Sequence, residues 1–136
     1  MGKITICGSM KFFDEMKKLK EDLENKDFVI CVPTLEGTGV DYSKLTQEEQ
    51  ANIKQYYIDE HIKKIKSSDA ILVANYTKND IKDYIGGNTF IEIAFAYILE
   101  KKIFILNTIP EQNNSLEIAG MKPIILHGDI ARITIN

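Results

Sequence analysis

Four runs of the chain are apolar at successive positions rather than at every second one: KITIC (Lys3–Cys7), FVICV (Phe28–Val32), AILVA (Ala70–Ala74) and KIFILN (Lys102–Asn107). A strand without polar alternation is buried on both faces, which is the mark of a parallel sheet covered by helices. A shorter fifth run, PIIL, spans Pro123–Leu126. Helical patterns fill the intervals. Phe12, Met16, Leu19 and Leu23 predict an amphipathic helix over about residues 10–25. Thr46-Gln47-Glu48-Glu49 reads as a capping box opening a helix to about Lys66. A third helix ends near Lys101, and Leu116–Met121 forms a short helical turn. Strand–helix alternation predicts a three-layer α/β/α domain around a mainly parallel sheet of about five strands. A length of 136 residues suits one domain spanning the whole chain.

Composition narrows the function. A net charge of −3 and a pI near 5.4 argue against binding of nucleic-acid polymers. The lysines at 17, 18, 20, 63, 64 and 66 lie beside acids on predicted helices and read as solvated faces. Cys7 and Cys31 fall in predicted buried strands without metal-ligand spacing, as reduced core residues do. The chain begins directly in a strand, with no secretory leader, and no apolar stretch reaches membrane-spanning length. A cytoplasmic location is the expectation.

Ligands of parallel α/β sheets bind at the carboxyl ends of strands, near the point where strand order reverses. Those ends carry Gly8-Ser9-Met10, the Pro33 loop, Asn75-Tyr76 and Asn107-Thr108, and the turn Gly86-Gly87-Asn88-Thr89 lies at the same edge. The polar stretches Thr34–Lys44 and 75–87 are long enough to be functional loops. Asp69 precedes a strand and belongs to the opposite end, as a turn or cap residue. In Cys7-Gly8-Ser9-Met10-Lys11 a glycine allows a tight turn, a serine offers a hydroxyl, and a helix start offers N–H groups for a phosphate or sugar. Lys11 reads equally as an anion partner or a solvated helix residue. Neither the P-loop nor the G-x-G-x-x-G spacing is present.

Residues 90–99 read FIEIAFAYIL, with Glu92 the single charge. A helix apolar on nearly all faces is a buried helix, and a carboxylate on it needs a partner or a cleft. Two readings stand. Thr89-Phe90-Ile91-Glu92 fits a capping box, in which Glu92 only secures the helix start. Alternatively, Glu92 faces a ligand between two N–H-rich turns, with no metal cluster and no Ser-His-Asp triad beside it. A lone carboxylate there suits covalent attack on an electrophilic sugar carbon.

The segments ICGSM, HIKKIKSSDAILVANY and YIGGNTFIEIAFAYILEKKIFIL resemble the nucleoside 2-deoxyribosyltransferase-like family, which includes deoxyribosyltransferases and deoxynucleoside 5′-monophosphate N-glycosidases. The resemblance runs from Lys3 to about Pro110. It implies a flavodoxin-like domain that forms homodimers or larger assemblies with shared sites and uses no metal or organic cofactor. It implies that Glu92 attacks C1′ to form a glycosyl-enzyme, that Gly8 and Ser9 help hold the sugar or its 5′-phosphate, and that a small-molecule nucleoside or nucleotide is the partner. On that reading the Gly86–Thr89 turn also holds sugar or phosphate, and Tyr76 or Tyr84 stacks on the base. The family's second acid falls at His61, with Asp59 and Glu60 as neighbours. A continuous second helix would hold residue 61 toward the far end of the sheet, whereas a break near Tyr57–Asp59 would bring it to the ligand. His61 then protonates the leaving base or simply packs on the surface. The GGNT…E pattern also resembles the phosphoribohydrolases that release cytokinin bases, without their full PGG-x-GT run. A protein of this fold that binds nucleotides without turning them over is the alternative.

Overall fold

The computed structural model describes residues 2–35 and 40–135, so the Thr34–Lys44 loop lies partly outside the described residues. Five strands form the sheet: β1 (Lys3–Cys7), β2 (Val29–Cys31), β3 (Ala70–Val73), β4 (Lys102–Ile105) and β5 (Ile124–Ile125). Four α-helices connect them: α1 (Phe13–Glu24), α2 (Gln47–Lys66), α3 (Gly87–Ile98) and α4 (Ser115–Gly120). The strand order is β2-β1-β3-β4-β5, and every pairing is parallel.

Handedness explains the layers. The step from β1 to β2 runs one way across the sheet, and every later step runs the other way. Right-handed crossovers therefore put α1 on one face and α2, α3 and α4 on the other. Packing follows this. Ile4, Ile6 and Leu72 meet Met16, Leu19 and Leu23 of α1. Cys7, Ile71, Val73, Ile103 and Ile105 meet Ile65 of α2, Ile93 and Ala96 of α3, and Ile118 of α4. Strand order reverses between β1 and β3, whose carboxyl ends lead into Gly8 and Asn75.

The loop after β3 is tied to the one after β4. Buried Asn75 donates through Nδ2 to the carbonyls of Asp83 (3.0 Å) and Thr108 (2.7 Å) and accepts from the Asn107 N–H at 3.1 Å. Asp83, at a φ of 56°, accepts from the Thr108 N–H and hydroxyl. Gln112 brackets Ile85, donating to its carbonyl at 2.8 Å and accepting from its N–H at 3.3 Å. These bonds set the position of Gly86, where α3 begins.

Three expectations need correction. Cys31 is half-buried and Val29 is exposed, because β2 is an edge strand with a neighbour on one side only. The third helix is not buried all round: Ile91, Tyr97 and Ile98 are exposed. Finally, α2 is continuous from Gln47 to Lys66, yet His61 lies at the ligand end of the sheet. Cys7, the last residue of β1, stands 3.4 Å from His61, so the earlier turns of α2 extend beyond the strand ends while His61 itself lies level with the carboxyl end of β1.

Candidate active site

A cavity of about 440 Å³ opens at the carboxyl ends of β1 and β3. Gly8, Ser9 and Met10 line it from the β1 turn, Gly86 to Thr89 and Glu92 from α3, and His61 from α2. The first turn is close-fitting. A Cβ on Gly8 would stand 2.8 Å from the Ala74 carbonyl oxygen, so glycine is what lets the two chains run this close just past β1 and β3. Ser9 caps the short 3-10 turn at Met10–Phe12, accepting from the Lys11 N–H at 3.4 Å. Its hydroxyl also accepts from Lys78 Nζ at 2.9 Å, and that ammonium lies 5.5 Å from the centre of the Tyr84 ring. The second turn is a helix start without a side-chain cap. Gly86 is the N-cap residue and makes no side-chain bond, so the first N–H groups of α3 face the cavity with helix-dipole support.

This overturns the capping reading of Glu92. The helix begins at Gly87, one turn earlier than a Thr89 cap requires, and Thr89 is itself buried. Glu92 instead meets the other two elements at the cavity floor. Its Oε2 lies 3.5 Å from His61 Nε2, and the same nitrogen lies 3.4 Å from Cys7 Sγ. Burial pushes the Glu92 carboxyl up to about 8, against a smaller opposite pull from the Cys7 thiol. Burial drives the His61 imidazole down to about 4, helped by the nearby Lys64 charge. The Ile6 backbone pulls His61 the other way, but weakly: His61 Nδ1 has no formed hydrogen bond. Cys7 is raised well above the ordinary thiol, first by burial and then by Glu92. At neutral pH the pair is therefore a carboxylic acid beside a neutral imidazole, not an ion pair.

Some expected residues are not brought here. Tyr76 packs edge-on against Phe12, with ring centres 5.1 Å apart, as part of the α1-side core. Tyr84 lines the cavity in its place. The Lys11 side chain is exposed outside the cavity lining, and Lys78 supplies the cation at Ser9. Asp59 is exposed, and Glu60 bonds to Lys63 at 3.3 Å, so neither acid replaces His61. Asp69 accepts from the Lys3 N–H at 2.9 Å at the opposite end of the sheet. The sequence reading missed Lys78 and Cys7. Lys78 carried one signal, a cation within a long polar loop at the reversal point. Cys7 carried none beyond its place as the last residue of a strand.

No family model matches the chain, and no curated protein matches it by sequence. Solved structures do match in shape. A 2-deoxyribosyltransferase from Bacillus psychrosaccharolyticus superposes with a TM-score of 0.63 at 15% identity, over 98% of this chain and 97% of the other. A 2-deoxyribosyltransferase from Leishmania mexicana superposes with a TM-score of 0.53 at 20% identity, over 79% of this chain and 67% of the other. At such identities the likeness speaks to architecture, and it agrees with the resemblance drawn from the ICGSM and GGNTFIE segments: the chain has the fold of the nucleoside 2-deoxyribosyltransferases.

Proposed function

We propose that this chain cleaves or transfers at the N-glycosidic bond of a nucleoside or nucleoside 5′-monophosphate, with Glu92 as nucleophile. One observation carries the reading: the one carboxyl that lines the cavity among the described residues stands between two turns built to hold oxygen-rich groups. The ionised Glu92 oxygen attacks C1′ as the bond to the base breaks and its electrons leave with the base. A glycosyl ester forms and is then opened by water or by a second base. A desolvated carboxylate is a strong nucleophile once ionised, because no hydration shell has to be removed first. His61 is neutral at pH 7 and is assigned to positioning Glu92 rather than to protonating the leaving base. Ser9, Lys78 and the free N–H groups of α3 hold the sugar hydroxyls or a 5′-phosphate, and Tyr84 stacks on the base.

A second copy of the chain completes the site in this reading. Ile58 on α2 and Ile91 on α3 are exposed apolar residues that line the cavity, and Tyr56 on α2 is exposed as well.

Base release from a panel of ribo- and deoxyribonucleosides and their 5′-monophosphates tests the reading, with and without a second free base. Free base without acceptor indicates hydrolysis, and a new nucleoside formed only with acceptor indicates transfer. Binding without release from any member favours a nucleotide-binding protein that keeps Glu92 protonated.

A further inference from the structure

Cys7, His61 and Glu92 lie far apart in the sequence and come from three elements, yet each offers a ligand atom to one point. The three ligand atoms all lie within 4.8 Å of one another. Cys7 Sγ to His61 Nε2 is 3.4 Å, and His61 Nε2 to Glu92 Oε2 is 3.5 Å. Ligands held at ~2.0–2.3 Å around a tetrahedral zinc ion stand roughly 3.3–3.6 Å apart, so the observed spacings are edges of such a tetrahedron. The donor set is thiol, imidazole and carboxyl, which suits a borderline-soft divalent cation and not magnesium or calcium. His61 and Glu92 line the cavity while Cys7 lies beneath it, so the fourth corner faces the cavity and an entry path exists.

We propose that Cys7, His61 and Glu92 form a binding site for one zinc-class divalent cation, and that its occupation withdraws Glu92 from chemistry. Binding exchanges the thiol proton and the carboxyl proton for the metal and uses the Nε2 lone pair of His61, so protons are released as the metal enters. Three protein ligands with the fourth position toward the cavity make the site exchangeable, unlike a closed structural zinc centre. Metal binding stands without the proposed glycosidic activity, whereas its inhibitory consequence rests on that reading.

Cobalt titration of chelator-treated protein is the test, because thiolate-bound Co²⁺ absorbs in the near ultraviolet and reports the sulfur ligand directly. The expected result is one Co²⁺ per chain with that absorption. It persists in Cys31→Ser, which removes the other thiol, and disappears in Cys7→Ala with an unchanged circular dichroism spectrum. Should Cys7→Ala fail to fold, His61→Gln takes its place and must weaken binding at least tenfold. Zn²⁺ also raises the Tm of the wild type and not that of the ligand variant. No thiolate absorption in the wild type, or absorption that survives in Cys7→Ala, overturns the proposal. Metal binding, with no base release from the chelator-treated, metal-free protein, would leave the site standing and remove the glycosidic reading. Base release without thiolate absorption would do the reverse.

Discussion

The two faces of the sheet are built from the same strands and treated differently. On the α1 face, Ile4, Ile6 and Leu72 meet a regular apolar stripe. On the opposite face the next residues along β1, Thr5 and Cys7, meet polar atoms: Thr5 bonds to Ser68 at 2.7 Å, and Cys7 meets His61 and Glu92. Alternate positions of one five-residue strand thus feed a packing core and a reactive cluster. The second face has an apolar core of its own, yet at its edge it holds a largely buried acid and an imidazole Nδ1 without a hydrogen-bond partner.

The largest expected effect breaks the second face alone. Glu92→Gln removes the nucleophile and keeps the shape, so base release falls about a thousandfold or more while the fold persists. Activity within tenfold of the wild type would exclude Glu92 as the attacking group. The converse substitution is Leu23→Ala, on a fully buried position facing the other side. It opens a cavity and destabilises by about 3 kcal/mol, measured by denaturant unfolding. Base release per folded molecule stays unchanged at a temperature where the variant is native. A comparable loss of turnover would mean that the two faces are coupled.

The fold was legible because its signals are local. Continuous apolar runs place β1, β3 and β4, and the Thr46–Glu49 box marks the start of α2, with reciprocal bonds of 2.9 and 3.1 Å. The site was legible where a glycine or a lone charge interrupts an apolar run, as at Gly8, Gly86 and Glu92. It was not legible where position depends on how one element is set against another. His61 reaches Glu92 because α2 packs with residue 61 beside Cys7 at the strand end, and no pattern within α2 says so. The Thr89–Glu92 box has the same letters as the Thr46 box, but the bonds from Gln112 to Ile85 fix the helix start at Gly86 and turn Thr89 inward. Tyr76 and Tyr84 carry identical chemistry, and only the fold of the loop between them sends one to the core and the other to the cavity.

Acidity sharpens the comparison further. The folded-state value for Glu92, about 8, lies above its unfolded value, so its stabilising contribution is present at low pH and lost as pH rises toward 8. His61 runs the opposite way: its folded value of about 4 lies below its unfolded one, so its contribution is present above pH 6.5 and lost as pH falls toward 4. The two oppose each other between about pH 4.5 and 6.5, and Glu92 acts alone from there to 8. Over that upper window the wild type should lose up to ~2 kcal/mol relative to Glu92→Gln, read as a widening gap in Tm. A constant gap would mean that the carboxyl is already ionised at pH 6.5. The same group predicts that kcat/KM for base release rises with pH toward 8, since only the ionised form attacks.

The smallest effect concerns how the two helices on the reactive face begin. The start of α2 is closed by its own side chains, because Thr46 and Glu49 satisfy each other's N–H groups. The start of α3 has no side-chain cap, and its N–H groups face the cavity. Thr46→Ala should therefore remove about 1 kcal/mol of stability, measured by denaturant midpoint, and leave the KM for any substrate unchanged. A Ser or Asp placed at Gly86 would make the second start resemble the first. It would compete with the ligand for the same N–H groups, and its Cβ, 3.3 Å from the Tyr84 ring, would shift that side chain at the cavity wall, so KM rises several-fold. Equal responses at the two positions would mean that the open start of α3 is not reserved for a ligand.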